Sequence, residues 1–361
     1  MTQPLHDRRL HTIAAHLFSW HHPAVRRRML RRNLEMRDLA GMDHAGLLSL
    51  GFSSRMLEGF PDKYLTAAQE EAEKSRQFRT ALILRDDPDY PPLLREIYDA
   101  PEILYVRGDV RHLQGMQLAV VGSRKADAYG RRMVQYLLPP VSVAGITVVS
   151  GMAYGIDTLA HQVALDNGHA TVGVNACGMD HLYPAGNRNL HDRILQNGCI
   201  ACEAPLGTWP QPHLFPVRNR IISGLCRAVL VIQGTLRSGS LITARMALDQ
   251  NRELLAVPGP ADSPLSSGPH QLIQQGAKLV QQPEDILEEF GLSVDTGPRS
   301  LAGLSSRERR VLDLMSTDGV KRIDDFVEAL NLSVPVVVSL LLQLTMKGFI
   351  REEGDGYRRQ L

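Results

Sequence analysis

The hydrophobic positions between residues 117 and 280 fall in short continuous runs that alternate with longer segments of helical spacing. The runs are QLAVV, GITVVS, HATVGV, CIAC, RAVLVI and ELLAV, and the series ends on KLV. Continuous apolar runs of this length are typical of strands buried on both faces. Because strands that alternate with helices form parallel sheets covered on both sides, the pattern predicts a doubly wound α/β fold.

The segment from residue 79 to about 110 has a different pattern. Its prolines, Pro88, Pro91, Pro92 and Pro101, exclude long helices. We expect a strand, a short helix and a second strand that lead into the main sheet.

The two ends of the chain are predicted to be helical. Residues 1 to about 75 have apolar positions at helical spacing, and two short helices broken by Gly41 and Gly51 resemble sterile-alpha-motif (SAM) or helix-hairpin-helix (HhH) modules. A DNA role and plain packing both remain open for them. Beyond a linker rich in Gly, Ser and Pro, the last segment gives three helices and a hairpin, the order of a winged helix, with Ser305 or Ser306 as the first N-cap. The predicted domains are 1–78 helical, 79–290 α/β, 291–303 linker and 304–361 winged helix.

Charge and hydropathy limit the function classes. The 361 residues carry a net charge of +1, so a nucleic-acid interface would have to be local. One basic stretch lies at Arg26–Arg32, where a solvated helix face is an equally good interpretation, and another contains Arg218 and Arg220. The chain lacks an apolar run of transmembrane length and a signal-peptide pattern. We expect a cytoplasmic protein without membrane contact.

Two residue groups could suggest a metal or catalytic site. Cys199 and Cys202 have CxxC spacing, but the surrounding sequence reads as a strand, where these positions point to opposite faces. We expect all four cysteines to be buried, reduced thiols. Asp157 and His161 share one face of a predicted helix. With no third ligand at suitable spacing, a helix N-terminal hydrogen bond and packing are the preferred interpretation, and no metal is expected.

Four predicted strand ends carry glycine, and the first three also carry serine: residues 122–124 (GSR), 150–155 (SGMAYG), 233–240 (QGTLRSGS) and 258–259 (PG). Parallel sheets bind ligands at their carboxyl edge, where helix N-termini and backbone N–H groups favour anions. The sequence has neither the GxGxxG fingerprint nor a Walker A motif, which disfavours a dinucleotide or ATP. We therefore predict a phosphate-rich ligand, which leaves a backbone phosphate ligand or a mononucleotide, and no cofactor. Arg124, Arg218 and Arg220 could bind phosphate in bidentate fashion, although a structural Arg pair tied to an acid such as Glu203 is the alternative.

The ordered motifs AVVGSRKADAYG, VVSGMAYGIDTLAHQVAL, HLYPAGNRNL, EAP, FPVRNRIISGL, SGSLITARMAL and AVPG…LIQQGA, across about residues 85–280, resemble the DprA/Smf family of DNA-processing proteins. The resemblance implies an extended Rossmann-like fold, binding and protection of single-stranded DNA, and loading of the recombinase RecA during natural transformation and homologous recombination. It also implies a homodimer and no catalytic activity. The DNA-binding residues implied at matching positions are Gly122, Ser123, Arg124, Ser150, Gly151, Arg218, Asn219, Arg220, Ser238, Gly239 and Ser240.

Several positions depart from the family pattern. They are Cys202 before Glu203, Gln233 where Glu is common, Gly268-Pro269-His270 in place of Gly-Cys-Asn, and Ala126-Asp127-Ala128 where Ser is usual. These positions lie near the predicted pocket or its supporting loops, so we expect them to affect affinity.

Two further hypotheses compete with the single-strand binder. A nucleotide phosphoribohydrolase of the lysine-decarboxylase-like group would share a similar core, but its PGGxGTxxE motif corresponds here to QGTLRSGSLIT, without the Glu. A module acting through the winged helix is the other. Its third helix offers only Lys347 as a basic residue, which favours a protein or accessory DNA contact over groove reading.

Overall fold

A computed structural model describes residues 3–32, 38–39, 42–55, 57–58, 62–292, 304–315, 319–346 and 349–359. The chain forms two compact units, residues 1–293 and 294–361. Nearly all of the predicted linker, together with Gly41 and Lys347, lies outside the described residues.

The first unit is built on a nine-stranded sheet in the order β1-β2-β6-β5-β4-β3-β7-β8-β9. Strands β3 to β9 pair in parallel, whereas β1 and β2 are antiparallel additions beside β6. This is the extended Rossmann-like sheet that the sequence predicts. The strands are β1 Ala81–Leu84, β2 Ile103–Gly108, β3 Gln117–Val121, β4 Thr147–Ser150, β5 Thr171–Val174, β6 Cys199–Cys202, β7 Ala228–Val231, β8 Glu253–Ala256 and β9 Lys278–Leu279.

The strand order places a topological switch point between β3 and β7. From β3 the chain winds outward through β4 and β5 to β6, and then returns to the other side of β3 with β7. In open parallel sheets the loops on either side of such a point separate and leave a crevice for a ligand. The loops after β3 and β7 flank this point, and the loop after β4, the other neighbour of β3, lies beside them.

Helices cover both faces of the sheet. Those of this unit are α1 Gln3–His21, α2 Pro23–Arg31, α3 His44–Ser49, α4 Asp62–Gln77, α5 Pro92–Glu96, α6 Ala128–Val143, α7 Ile156–Asp166, α8 Arg188–Asn197, α9 Leu214–Leu225, α10 Ser240–Asp249, α11 Ser267–Gln274 and α12 Pro283–Leu287. One face packs on α9, α10 and α11, and the other on α6, α7 and α12. Alternate residues of each strand enter opposite cores, as the pleat requires.

The N-terminal helices share a hydrophobic core with the sheet. Phe18 of α1 and Tyr64 of α4 are buried in the same cluster as Tyr105 of β2 and Ile200 of β6. Asp43 is the N-cap of the short helix α3, and its carboxylate accepts a hydrogen bond from Gly46 N at 2.7 Å. The N-terminal helices therefore pack against the sheet. The predicted domain boundary at residue 78 stays a prediction.

The second unit has the elements of a winged helix: α13 Ser306–Asp313, β10 Val320–Lys321, α14 Ile323–Leu330, α15 Val334–Met346, β11 Ile350–Glu353 and β12 Gly356–Arg359, with the strands in the order β10-β12-β11. Ser305 caps α13 as predicted, because its Oγ accepts from Glu308 N while Ser305 N donates to Glu308 Oε2. In the described part of the chain, no single helix is long and apolar enough to span a membrane. Helix α14 together with part of α15 has sufficient length and apolar composition, but the two are bent by 114° relative to each other.

Candidate nucleic-acid interface

The loops after β3, β4 and β7 are joined by backbone hydrogen bonds at the switch point. Ser123 N donates to Gln233 O at 2.7 Å, and Ile156 N at the start of α7 donates to Ser123 O at 3.1 Å. Gly268 N, in the first turn of α11, donates to Gly234 O at 2.8 Å. The structure therefore brings three of the four glycine-rich strand ends to one place.

The glycines at this edge have two different roles. A Cβ at Gly122 would lie 2.9 Å from Gln233 O, and one at Gly155 would lie 2.2 Å from Ser123 O, at a φ of +80°. These two positions need glycine because the loops pack closely on one another. At Gly239 a Cβ would meet nothing within 4 Å. Gly239 therefore leaves open space for a ligand, whereas the sequence argument assigned that role to all of these glycines.

Ser150, Gly151 and Arg218 form a buried scaffold below the β4 loop. Ser150 Oγ donates to Val120 O at 2.6 Å, and Arg218 Nη1 donates to Gly151 O at 2.6 Å and also to Val174 O. Burial lowers the pKa of the Arg218 guanidinium to about 10, against the opposing effect of Asp157. Arg218 is buried, and its Nη1 is engaged with these two carbonyl groups, so the bidentate phosphate contact expected of Arg218 stays a prediction.

Asp157 and His161 are also buried beneath this loop. The Asp157 carboxylate accepts hydrogen bonds from Gly151 N at 3.1 Å and Ala153 N at 3.4 Å, and burial raises its pKa to about 6. Thr171 Oγ1 donates to Val148 O, so it can only accept from His161 Nδ1, 2.8 Å away. Burial lowers the pKa of His161 to about 3. The preferred interpretation of this pair, a loop hydrogen bond and packing, agrees with these contacts.

Arg220 is held by acids. Its Nη2 donates to Glu203 Oε2 at 2.6 Å, and its Nε lies 2.9 Å from Asp99 Oδ2. Arg26 of α2 donates to the other Glu203 oxygen at 2.6 Å. Although burial raises the pKa of Glu203, Arg220 and Arg26 outweigh it and lower the pKa to about 2. Arg220 is therefore a structural arginine tied to Glu203, which was the alternative to phosphate binding. Arg26 belongs to the same network rather than to a solvated helix face.

All but one of the remaining predicted residues are at least partly accessible. Arg124 and Gly239 are exposed, and Gly122, Ser123, Asn219 and Ser238 are half-buried, while Ser240 is buried. Ser238 Oγ and Ser240 Oγ are 2.8 Å apart at the start of α10. Neither Gly239, the N-cap of α10, nor His213, the N-cap of α9, donates or accepts a side-chain cap hydrogen bond. In α10 the N–H groups of Leu241 and Ile242 donate to Ser238 O and Gly239 O, each at 3.1 Å, so this turn is closed by its own backbone.

Two aromatic side chains at this edge, Phe215 and Tyr183, were not among the site residues predicted from the sequence. The Arg124 guanidinium carbon lies 5.6 Å from the centroid of the Phe215 ring, and the Phe215 and Tyr183 rings are 5.2 Å apart. Tyr183 is exposed and Phe215 is half-buried. The Phe before Pro in FPVRNR was a signal, but Tyr183 is distant in sequence and only the fold brings the two together.

Two departures from the family pattern contact each other. Gln233 Nε2 donates to Asp127 Oδ1 at 2.8 Å, and Asp127 Oδ1 also caps α6 by accepting from Gly130 N at 2.9 Å. An amide at position 233 suits a carboxylate at position 127, where a second carboxylate would repel it.

The four cysteines are free and buried, as expected. Burial raises the pKa of Cys199 to about 12 and that of Cys177 to about 11. Among the described residues, no group of three or more His, Cys, Asp or Glu side chains is placed to hold a metal ion.

Comparison with known proteins gives consistent matches. Residues 81–291 match the family model of DNA recombination-mediator protein A, and residues 295–356 match the DprA winged helix domain. Protein Smf of Escherichia coli is 41% identical over 287 residues, 77% of each chain. DNA processing protein DprA of Bacillus subtilis is 45% identical over 202 residues, 56% of this chain and 68% of its own.

Solved structures agree. The X-ray structure of DNA processing protein A from Streptococcus pneumoniae superposes with a TM-score of 0.61 at 37% identity, covering 70% of this chain and 85% of that one. The protein from Helicobacter pylori, whose structure addresses its single-stranded DNA binding mode, gives a TM-score of 0.54 at 27% identity, covering 59% and 96%. The family inferred from the ordered motifs is thereby confirmed: the chain belongs to the DprA/Smf family, the DNA recombination-mediator protein A family.

Proposed function

We propose that this protein binds single-stranded DNA at the carboxyl edge of β3, β4 and β7. The observation that carries the proposal is the exposed Arg124 guanidinium over the Phe215 ring, with Tyr183 beside it, next to the serine- and glycine-containing loops. Binding sites for single strands combine cationic groups along the backbone with aromatic rings for base stacking. The single-stranded DNA binding mode described for the Helicobacter pylori relative supports the same ligand.

The eleven predicted site residues divide into two groups in this proposal. Phosphates contact the accessible groups: Ser123, Arg124, Asn219, Ser238 and the backbone at Gly122 and Gly239. Bases stack on Phe215 and Tyr183. The buried residues Ser150, Gly151, Arg218, Arg220 and Ser240 hold the loops in position and do not contact the strand.

The strand-binding test compares a labelled oligothymidine with a duplex of equal length. The full chain should bind the oligothymidine more tightly, and log affinity should fall against log salt with a slope of about −0.7 per phosphate contacted. Equal affinity for both DNAs, or an affinity independent of salt, would remove the basis of the proposal.

We further propose that the bound strand is protected and passed to the recombinase RecA during natural transformation and homologous recombination. The support is the family itself, defined as a recombination mediator. The test is RecA ATP hydrolysis on single-stranded DNA covered with single-strand-binding protein. The full chain should shorten the lag before hydrolysis, and an unchanged lag would contradict the proposal.

We also propose that the protein forms a homodimer, as the resemblance to the family implies. Exposed apolar side chains lie on α10 and the edge strand β9, namely Ile242, Leu248 and Leu279. Sedimentation should report a dimer that Leu248→Glu dissociates. A monomeric wild-type chain at micromolar concentration would refute it.

We propose that the winged-helix unit makes a protein or accessory DNA contact. Val334, Val338 and Leu342 recur every four residues on α15 and are exposed, so they form an apolar stripe on one helix face. Such a stripe suits a protein partner better than a DNA groove. Removing residues 300–361 should leave oligothymidine affinity unchanged, and a large loss would indicate a direct role in strand binding.

We also propose that the protein is a cytoplasmic binding protein rather than an enzyme. The acid–base candidates at the edge, Asp157 and His161, are buried and engaged with backbone amides and Thr171. The phosphoribohydrolase alternative is tested by incubation with AMP and chromatography for adenine. No adenine should form, and turnover would overthrow the binding-protein proposal.

A further inference from the structure

A second aromatic pair lies on the same two segments that carry Tyr183 and Phe215. The rings of His181 and Trp209 have centroids 4.2 Å apart and planes inclined by 32°. Trp209 is 68% exposed. His181 shares the β5–α8 loop with Tyr183, and Trp209 shares the β6–α9 segment with Phe215. The same two segments therefore carry two aromatic pairs.

Hydrogen bonds hold the Trp209 segment in place from both sides. Leu206 N donates to Glu71 Oε1 of α4 at 2.8 Å, and Gly207 N donates to Asp180 Oδ2 at 2.8 Å. Gly178 N donates to Thr208 O at 3.0 Å. An exposed indole on a fixed segment presents its face with little loss of conformational entropy on binding.

A cavity of about 360 Å³ opens beside Trp209. It lies between helices α1 and α4 and the 205–211 segment, and Trp20 lines it from α1. Trp20 and Trp209 are the only two tryptophans of the chain, and both belong to this one cavity. The N-terminal helices thus form one wall of this cavity, and the 205–211 segment that carries Trp209 forms another.

The charges around the cavity favour a base over a phosphate. Glu70, Glu71 and Lys74 line the cavity; Glu71 accepts from Leu206 N, and Lys74 Nζ lies 3.5 Å from Glu70 Oε2. Because acidic groups outnumber the single lysine, a phosphate would be repelled here. An uncharged aromatic base can stack on the indole without that penalty.

The strand that occupies the edge can reach this place. His181 and Tyr183 are two residues apart, so their Cα atoms are at most about 7 Å apart. A nucleotide that stacks on Tyr183 and Phe215 therefore has its neighbour within reach of His181 and Trp209. Extended single strands offer bases at comparable intervals.

We propose that Trp209, stacked on His181 and facing the Trp20 cavity, is a second base-binding subsite for single-stranded DNA. This subsite rests on the proposed strand binding at the β3–β7 edge. It extends the interface from the Rossmann-like loops to the N-terminal helices, and it gives this chain a longer footprint than the edge alone.

The test uses tryptophan fluorescence. Trp20→Phe leaves Trp209 as the single indole, and oligothymidines of increasing length are then titrated. Binding by the shortest oligothymidines should leave the emission unchanged, and longer ones should quench it above a threshold length. In the otherwise wild-type chain, Trp209→Ala should weaken binding of long oligothymidines about tenfold and of short ones very little. Trp209→Phe should retain most of the affinity, and Tyr136→Ala, an exposed aromatic on α6, is the matched control.

The outcomes separate the two proposals. If long oligothymidines bind but neither quench Trp209 nor respond to Trp209→Ala, the subsite is wrong and edge binding stands. If Trp209→Ala weakens short and long oligothymidines equally, the indole acts through the fold and the subsite is again wrong. If no oligothymidine binds the wild-type chain at any length, the proposed function itself fails.

Discussion

Arg220 Nη2 donates a hydrogen bond to Glu203 Oε2 over 2.6 Å, and both side chains are buried. Arg26 binds the second oxygen of the same carboxylate. The carboxylate therefore links α9, which carries Phe215 just inside its start, to helix α2 of the N-terminal segment. Arg26 and Arg220 come from separate basic stretches of the sequence and meet on one acid below the candidate interface.

Replacing Arg220 should lower the free energy of unfolding, because the proposed role of Arg220 is structural and not DNA contact. Arg220→Ala leaves Glu203 with one of its two guanidinium partners, and removal of one member of a buried ion pair costs about 3 kcal/mol. Urea unfolding of the first unit measures the loss. Arg193→Ala, which breaks the exposed pair with Asp166 at 2.6 Å, is the control and should cost less than about 1 kcal/mol. Equal losses in the two variants would show that the Arg220 pair is not a structural anchor.

The contact between Gln233 and Asp127 predicts a conditional substitution. Gln233→Glu introduces the residue common in the family, but here it would place a second carboxylate against Asp127 in a buried position. We expect a loss of about 2 kcal/mol in unfolding free energy at pH 7. Adding Asp127→Ser, which keeps an N-cap for α6, should recover most of it. A double variant no more stable than Gln233→Glu alone would refute the coupling.

His161 should make stability depend on acid. Its pKa is about 3 when folded and 6.5 in the unfolded chain, so below pH 6.5 the unfolded state binds a proton that the folded state does not. The stability due to neutral His161 is present above pH 6.5 and is lost as pH falls from 6.5 to 3. His161→Gln removes the titrating group, so its free energy of unfolding should fall less steeply over that window. Parallel profiles for variant and wild type would contradict the assigned pKa.

Most of the fold could be predicted from the sequence because its strands and helix ends depend on the residue types within short segments. Apolar runs such as QLAVV and RAVLVI identified the strands, and the capping residues around Ser305 marked a helix start. The antiparallel direction of β1 and β2 could not be read in this way, since strand direction depends on contacts between distant segments.

The candidate site was predicted less completely. Motifs located its loops, but the type of a residue does not tell which way it points. Arg124 and Arg220 have the same side chain, and only the packing around Glu203 shows that one is exposed and the other buried. Phe215 and Tyr183 lie on segments far apart in sequence, and the β5–α8 loop must fold before they meet.

The central claim is that a single strand of DNA binds through the exposed groups of the β3–β7 edge. The most direct measurement is fluorescence anisotropy of a labelled oligothymidine over a range of salt concentrations. It compares the wild-type chain with Arg124→Ala and with Arg227→Ala, an exposed arginine 6.0 Å from the Phe290 ring at the opposite edge of the sheet. Arg124→Ala should weaken binding about tenfold and reduce the magnitude of the log–log salt slope by about 0.7, the contribution of one phosphate, whereas Arg227→Ala should change neither. Unchanged affinity and slope in Arg124→Ala, or equal losses in both variants, would contradict the claim.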